Sequence, residues 1–120
     1  MSEKLVLRKK NGSYVVPVND ILYLEKNLRK VCIHTQTEAL GNIDVYSSFD
    51  EIMTHLDDRF MCCHRSYIFN MDKIIVLADQ TVFLEGNESI YLGRDSFAKA
   101  RRIFGEYLEI KLEAAQQSVK

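Results

Sequence analysis

The sequence predicts a mainly β protein, with many antiparallel strands and two helices. Short runs rich in β-branched and aromatic residues follow one another at close intervals, and turn residues separate them. Two other stretches repeat apolar residues at helical spacing, one near the middle of the chain and one near its end. Together these patterns are typical of a protein built mainly from antiparallel sheets.

The first half of the chain is predicted to consist mainly of strands. Leu5–Arg8 and Tyr14–Val18 flank an Asn-Gly pair, which is the strongest short signal for a hairpin. Because Pro17 has no N–H group, the second strand belongs at a sheet edge or ends there. A polar loop, Lys26–Arg29, separates the next two strands. The remaining strands of this half are expected at Ile21–Glu25, Lys30–Thr35 and Ala39–Tyr46.

The middle of the chain predicts a short helix and then a second set of strands. Ser48 and Glu51 fit a capping box, in which each side chain accepts the backbone N–H of the other residue. The helical spacing of the apolar residues that follow ends near Asp57. Extended structure is expected at Phe60–Phe69, Lys73–Leu77, Thr81–Glu85 and Ser89–Leu92.

The last part of the chain predicts a long amphipathic helix. Asp95 or Ser96 caps it, and apolar residues then recur at helical spacing as far as Leu112. Beyond that point the apolar stripe stops, so residues 113–120 are expected to form a frayed tail. Since no linker or repeat interrupts the preceding sequence, residues 1–112 are predicted to form one domain.

Composition and charge limit the classes of protein that fit. No apolar run reaches the roughly 18 to 20 residues of a membrane-spanning helix, and no signal-peptide core is present, so a cytoplasmic protein is expected. The net charge is −1, but residues 1–36 hold seven Lys/Arg against three Asp/Glu. A local basic surface that binds nucleic acid is therefore compatible with the slightly negative net charge, because phosphate groups are attracted mainly by charges within about 8 to 10 Å.

The sequence contains no motif of an enzyme or of a metal site. It lacks a Gly-rich phosphate loop, G-x-S-x-G and H-E-x-x-H, and its three cysteines are not spaced as C-x-x-C. A protein without catalytic activity, cofactor or metal is therefore expected. Cys62 and Cys63 are neighbours, so on a strand they face opposite sides and at most one belongs to the core. His34, on a predicted strand, is expected to hydrogen-bond within the fold.

Basic residues at strand ends are the most informative positions for function. Arg29 and Lys30 follow one strand, Arg65 follows His64, and Arg94 directly precedes the last helix. A guanidinium on a stiff sheet can bond N7 and O6 of guanine together, which is worth about 1 to 3 kcal/mol of discrimination. Taken alone, three isolated arginines are weak evidence for DNA contact, and ordinary surface charge is the preferred interpretation.

Three segments occur in a distinctive order: D-I-L-Y-L-E at residues 20–25, H-R-S-Y-I-F-N at residues 64–70 and L-G-R at residues 92–94. On these segments the chain resembles the LytTR DNA-binding family of bacterial transcription regulators, from about Leu5 to Leu108. The resemblance implies an elongated stack of antiparallel sheets with two helices, in which loops read the DNA. The chain departs from the family pattern at Gly93, where Ser is usual, and at Phe69, where Val is usual.

The resemblance also assigns roles to residues by position. The residues expected to contact bases are Arg29, Arg65 and Arg94. The residues expected to contact the DNA backbone or to support the others are Lys26, Asn27, Lys30, His64 and Ser66. The implied function is sequence-specific binding of duplex DNA by two protomers on repeated half-sites. Family members typically carry a phosphoacceptor receiver domain of a two-component system, so the chain is either a regulator without it or a fragment.

Two other functions stay open on the sequence. The sheet edges could instead bind a partner chain, such as a membrane-bound or cytosolic inhibitor, which would make the domain a protein-interaction module. Alternatively, Cys63 close to Arg65 could make the regulator respond to oxidants, because a positive neighbourhood lowers the pKa of a thiol. DNA binding weakens steeply with added salt, whereas pairing at a sheet edge does not.

Overall fold

The structure, a computed structural model, describes residues 3–37 and 41–118. Within those residues, ten strands form three antiparallel sheets beside two α-helices, which confirms the predicted mainly β class. The strands are β1 (Lys4–Lys9), β2 (Gly12–Pro17), β3 (Ile21–Asn27), β4 (Lys30–Thr35), β5 (Asn42–Tyr46), β6 (Phe60–His64), β7 (Tyr67–Asn70), β8 (Ile74–Ala78), β9 (Thr81–Leu84) and β10 (Glu88–Tyr91). The helices are α1 (Phe49–Met53) and α2 (Arg94–Ser118). No helix in the described part of the chain is long and apolar enough to cross a membrane.

The three sheets are stacked, with the largest in the middle. β1 pairs with β2, the central sheet has the order β5-β4-β3-β7-β6, and the third sheet has the order β10-β9-β8. Every neighbouring pair of strands is antiparallel. The molecule measures 47 × 37 × 26 Å, so its longest axis is nearly twice its shortest. The elongated stack of antiparallel sheets is therefore confirmed.

Two hydrophobic cores lie on opposite faces of the central sheet. The hairpin-side core, shared with β1, β2 and α1, contains Leu5, Leu7, Val16, Val18, Ile21, Leu24, Val31, Ile33, Val45, Ile52, Phe60 and Ile68. The helix-side core, shared with the third sheet and α2, contains Leu22, Tyr23, Met61, Cys63, Phe69, Met71, Val82, Leu84, Leu92 and Ala100. Strand β3 contributes to both cores, because successive side chains of a strand point to opposite faces of the sheet. An irregularity in its pairing with β4 also puts Ile21 and Tyr23 on opposite faces.

The turns after β3 and β6 differ from the segments predicted there. The predicted loop Lys26–Arg29 is reduced to a two-residue turn, Leu28–Arg29, because β3 and β4 stay paired up to that turn. The segment Phe60–Phe69, predicted as continuous extended structure, is a hairpin that turns at Arg65–Ser66. The first correction shortens a loop and the second introduces a turn, and both place the turn residues directly at the ends of paired strands.

The other strands form where the sequence predicts them. The Asn-Gly hairpin joins β1 to β2, with Gly12 as the first residue of β2. Asp79 and Gln80, both at φ 54°, form the predicted turn between β8 and β9. The predicted strand Ala39–Tyr46 contains β5 in its second part, and residues 39 and 40 lie outside the described residues.

Helix α1 is shorter than predicted. Ser48 caps it as expected, with its Oγ accepting the backbone N–H of Glu51 at 3.1 Å. The other half of the capping box is replaced, because the Glu51 carboxylate accepts Lys9 Nζ at 2.6 Å. The helix ends at Met53 instead of near Asp57, since the next backbone N–H groups bond the third residue back and not the fourth.

Helix α2 begins earlier and ends later than predicted. It starts at Arg94, so the predicted caps Asp95 and Ser96 both lie in its first turn. It continues to Ser118, through residues that the sequence pattern predicts to fray. Those residues are mostly Glu, Ala and Gln, which are good helix formers, so helical backbone persists after the apolar stripe ends at Leu112. The domain boundary at residue 112 stays a prediction.

Candidate nucleic-acid interface

The antiparallel register brings two turns to one end of the central sheet. β3 leads into the Leu28–Arg29 turn, and its neighbour β7 starts directly after the Arg65–Ser66 turn. The backbone N–H of Lys26 donates to the carbonyl oxygen of Ser66 at 2.9 Å, which joins the two turns. We call this region the basic end of the sheet. It comprises Lys26, Asn27, Leu28, Arg29, Lys30, Tyr46, Arg65 and Ser66.

Four cations lie at the basic end. Arg29 and Arg65 are exposed and occupy the turns themselves, as the sequence predicts. Lys26 and Asn27 are exposed on β3, and not in the loop predicted for them, because the strand continues to the turn. Lys30 is the first residue of β4 and is partly buried. The positive charge therefore comes from two turns and from the strand ends beside them.

Two open clefts flank the side chain of Leu28. The first is lined by Asn27, Leu28, Arg29, Lys30 and Tyr46, and the second by Lys26, Leu28, Arg65 and Ser66. In the first cleft, Lys30 Nζ lies 5.1 Å from the centre of the Tyr46 ring, within range of a cation–π attraction. Sequence reasoning missed both Leu28 and Tyr46. The only signal for Leu28 is an apolar residue inside a polar loop.

His64 shapes the turn between β6 and β7. Its Nδ1 accepts the backbone N–H of Ser66 at 3.0 Å, and its ring centre lies 5.4 Å from that of Tyr67. Because Nδ1 is an acceptor, the proton of the neutral imidazole resides on Nε2. The bond closes a short loop around Arg65, whose side chain stays exposed. This is the geometry of a supporting residue, while DNA contact by His64 or Ser66 stays a prediction.

A layer of aromatic rings underlies the basic end on the helix side of the sheet. The rings of Tyr23 and His34 are stacked, with centres 4.1 Å apart and planes 9° from parallel. His34 Nε2 also lies 3.1 Å from Glu25 Oε1, so His34 hydrogen-bonds within the fold as predicted. The rings of Tyr67 and Phe69 continue the layer, with their centres 5.7 Å apart. Burial, and then the charges of nearby carboxylates, raise the pKa of the Tyr23 hydroxyl. This packing stiffens the strands that carry the turns.

The third predicted base contact, Arg94, lies on a different element. It is exposed and is the first residue of α2, which packs against β6. The segment before it is tied to the third sheet, because the Leu92 N–H donates to the Gln80 carbonyl oxygen at 2.8 Å. The structure therefore brings two of the three arginines together and leaves the third on a neighbouring layer.

The cysteines near the site do not have the surroundings of reactive thiols. Cys62 is exposed and Cys63 is buried, so only one of the pair belongs to the core, as predicted. Burial raises the pKa of the Cys63 thiol to about 11. A redox-responsive cysteine needs a lowered pKa and access to solvent. The described residues also bring together no group of three His, Cys, Asp or Glu side chains that could hold a metal ion.

Comparison with known proteins assigns the chain to a family and confirms its fold. A family model described as the LytTr DNA-binding domain matches residues 11–105. The structure of a LytTr DNA-binding domain from Bacillus cereus superimposes with a TM-score of 0.68 at 22% identity, covering 88% of this chain and 99% of that one. That likeness shows a shared fold. The chain belongs to the LytTr DNA-binding domain family.

The chain is also similar to particular regulators. Accessory gene regulator protein A of Staphylococcus aureus strain N315 is 29% identical over 93 residues, which is 74% of this chain and 37% of that protein. The Accessory gene regulator A of strain COL matches to the same extent. The chain thus spans little more than a third of the length of the curated relatives it matches.

Proposed function

We propose that this domain binds duplex DNA sequence-specifically through the basic end of its central sheet, as part of a bacterial cytoplasmic transcription regulator. Arg29 and Arg65 contact base edges in this proposal. The observation that carries this proposal is the hydrogen bond from the Lys26 N–H to the Ser66 carbonyl oxygen. This bond joins the two turns on which the exposed arginines lie. The guanidinium that each turn presents has the planar fork of donors that matches guanine in the major groove.

The lysines beside the turns take a different role. Lys26 and Lys30 flank the two arginine-bearing turns and are proposed to contact phosphates, with Asn27 and Ser66 as further polar groups on the same edge. Phosphate contacts set the position of the protein on DNA, whereas base contacts carry the sequence information. Counterion release from the phosphates makes such binding steeply dependent on salt.

Arg94 is proposed as a separate base contact on the same duplex. Its exposure at the start of α2 supports this, because an exposed side chain is accessible to a duplex. A contact from another layer would lengthen the stretch of DNA that one protomer reads. We further propose that two protomers bind repeated half-sites, with no cofactor, metal or catalytic step involved.

Selection of bound sequences from a random pool of duplex DNA tests the proposed function. An enriched motif is expected, and the logarithm of its binding constant should fall linearly with the logarithm of the salt concentration. No enrichment would overturn sequence-specific binding. Binding to a protein partner with little dependence on salt would instead favour the sheet-edge interaction module.

A further inference from the structure

Leu28 is an exposed apolar residue at the tip of the β3–β4 turn. Its side chain is 88% exposed, the highest value among the exposed large hydrophobic residues of the described chain. It lies beside Arg29 and contributes to both clefts of the basic end. A leucine in this position removes almost no apolar surface from water, so burial does not account for it.

The backbone at Leu28 is also unfavourable for leucine. Its φ is 59°, and it is the first of the two residues of the turn. Hairpins with a positive φ at that position prefer glycine, because a side chain there meets the backbone. The other described non-glycine residues with positive φ are polar: Asp79, Gln80 and Asn87. Leu28 therefore costs stability without adding to a core. An unfavourable residue of this kind is typical of a site that contacts a ligand, which here is DNA under the proposed function.

The position of Leu28 between cations indicates the chemistry of that contact. Lys26 and Arg65 line the cleft on one side of it, and Arg29 and Lys30 line the cleft on the other. If these cations approach DNA, Leu28 is carried into the same groove. The apolar group that the major groove offers is the C5-methyl of thymine.

We propose that Leu28 reads thymine, by packing its side chain against a thymine methyl next to the bases that Arg29 and Arg65 contact. This inference rests on the proposed function. The β3–β4 turn would then recognise two bases, guanine through the charged side chain of Arg29 and thymine through the apolar side chain of Leu28. The unfavourable backbone is then tolerated because it aims the leucine outward from the turn.

Replacement of each thymine of the selected site by deoxyuridine tests the proposal, since it removes the methyl group and keeps every hydrogen bond. At one position of each half-site, the wild-type domain is expected to bind the deoxyuridine duplex about fourfold more weakly, the value of one buried methyl group. Leu28→Asn keeps a side chain of similar length and suits the positive φ. This variant should bind both duplexes equally while its melting temperature is unchanged or higher.

The outcomes separate this inference from the proposed function. If the wild-type domain binds a selected site but does not distinguish thymine from deoxyuridine anywhere, only the inference is overturned. A Leu28→Asn variant that keeps the difference would assign the methyl contact to another residue. A loss of affinity without any methyl effect, together with a reduced DNA bend, would show a wedge between base steps instead. If the wild-type domain binds no DNA, both proposals fail.

Discussion

The amide of Lys26 donates to the carbonyl oxygen of Ser66 at 2.9 Å, next to the last paired residues of β3 and β7, Glu25 and Tyr67. The bond extends the strand ladder into the Arg65–Ser66 turn. A displacement of one turn is therefore transmitted to the other. Functional effects of substitutions in the two turns should consequently be coupled, whereas those of distant arginines should be additive.

Replacement of the exposed arginines tests the base contacts. Arg65→Ala and Arg94→Ala should each weaken specific DNA binding by about 1 to 3 kcal/mol and relax the preference at one base position. Both side chains are exposed, so the melting temperature should change little. Titration of each variant on the selected site and on its single-base variants measures this.

Arg102→Ala is the matched control for those variants, because Arg102 is an exposed arginine of α2 paired with Glu106 at 3.3 Å. It should leave the affinity for the selected site nearly unchanged. Collapse of thermal stability in Arg65→Ala or Arg94→Ala would mean that the arginine concerned has a structural role and that its assignment as a base contact is wrong.

Arg29 and Lys30 are adjacent but are expected to act differently. Lys30→Ala should lower the affinity for specific and random DNA by similar factors and reduce the salt slope by about 1, because it removes a phosphate contact. Arg29→Ala should chiefly reduce the ratio of the two affinities. Titrations of both variants on both DNAs at several salt concentrations decide this. If Arg29→Ala lowers both affinities and Lys30→Ala lowers their ratio, the two roles are reversed. If neither variant changes DNA binding, this turn is not part of the interface.

His64 is expected to act by positioning Arg65. His64→Ala removes the acceptor for the Ser66 N–H and should weaken specific binding more than random binding, because the turn loses its fixed shape. His64→Asn offers a side-chain oxygen that can accept a backbone N–H two residues on, and it should recover much of the specificity. Equal losses in both variants would indicate that the imidazole itself touches DNA.

The two cores predict large losses of stability on truncation. Phe69→Ala and Leu24→Ala should lower the free energy of unfolding by about 3 to 5 and 2 to 5 kcal/mol, because both side chains are fully buried on opposite faces of the central sheet. Denaturant unfolding measures this. Ile75→Ala, at a side chain that is 64% exposed, is the control and should cost far less. Wild-type stability in either core variant would contradict the burial of that side chain.

Thiol alkylation tests the redox alternative. Burial raises the pKa of the Cys63 thiol to about 11, so at neutral pH it should react with iodoacetamide far more slowly than a free thiol. Mass spectrometry of the alkylated peptides, with the denatured protein as the reference, gives the rate at each cysteine. Fast modification of Cys63 in the folded domain would restore a redox role.

Local patterns in the sequence were sufficient for most strands, while the hairpin that turns at Arg65–Ser66 escaped them. The β8–β9 turn, for example, could be predicted from the apolar runs on either side of it. The turn at Arg65–Ser66 carries no glycine, proline or asparagine, and it forms because the His64 ring accepts the Ser66 N–H. No local pattern predicts that bond. The sequence therefore showed the arginine but not the hairpin that exposes it.

The composition of the candidate site was predictable, whereas its geometry was not. Cations at strand ends are visible in the sequence, and the resemblance named Arg29, Arg65 and Arg94. Their grouping depends on the pairing of β3 with β7, which are far apart in the chain. Arg94 lies on a different element, at the start of α2. Leu28 stayed unnoticed, because its significance depends on its φ angle and exposure.

The burial of β3 has a consequence for how the domain meets DNA. This strand has a neighbour on each edge and a hydrophobic core on each face. Its amide protons should thus be among the slowest in the chain to exchange with deuterium, because their release requires global opening. The turn that projects from its end sits on the least mobile part of the molecule. Association then costs little ordering of the backbone at Arg29, and a duplex that does not fit meets a backbone that does not adapt to it.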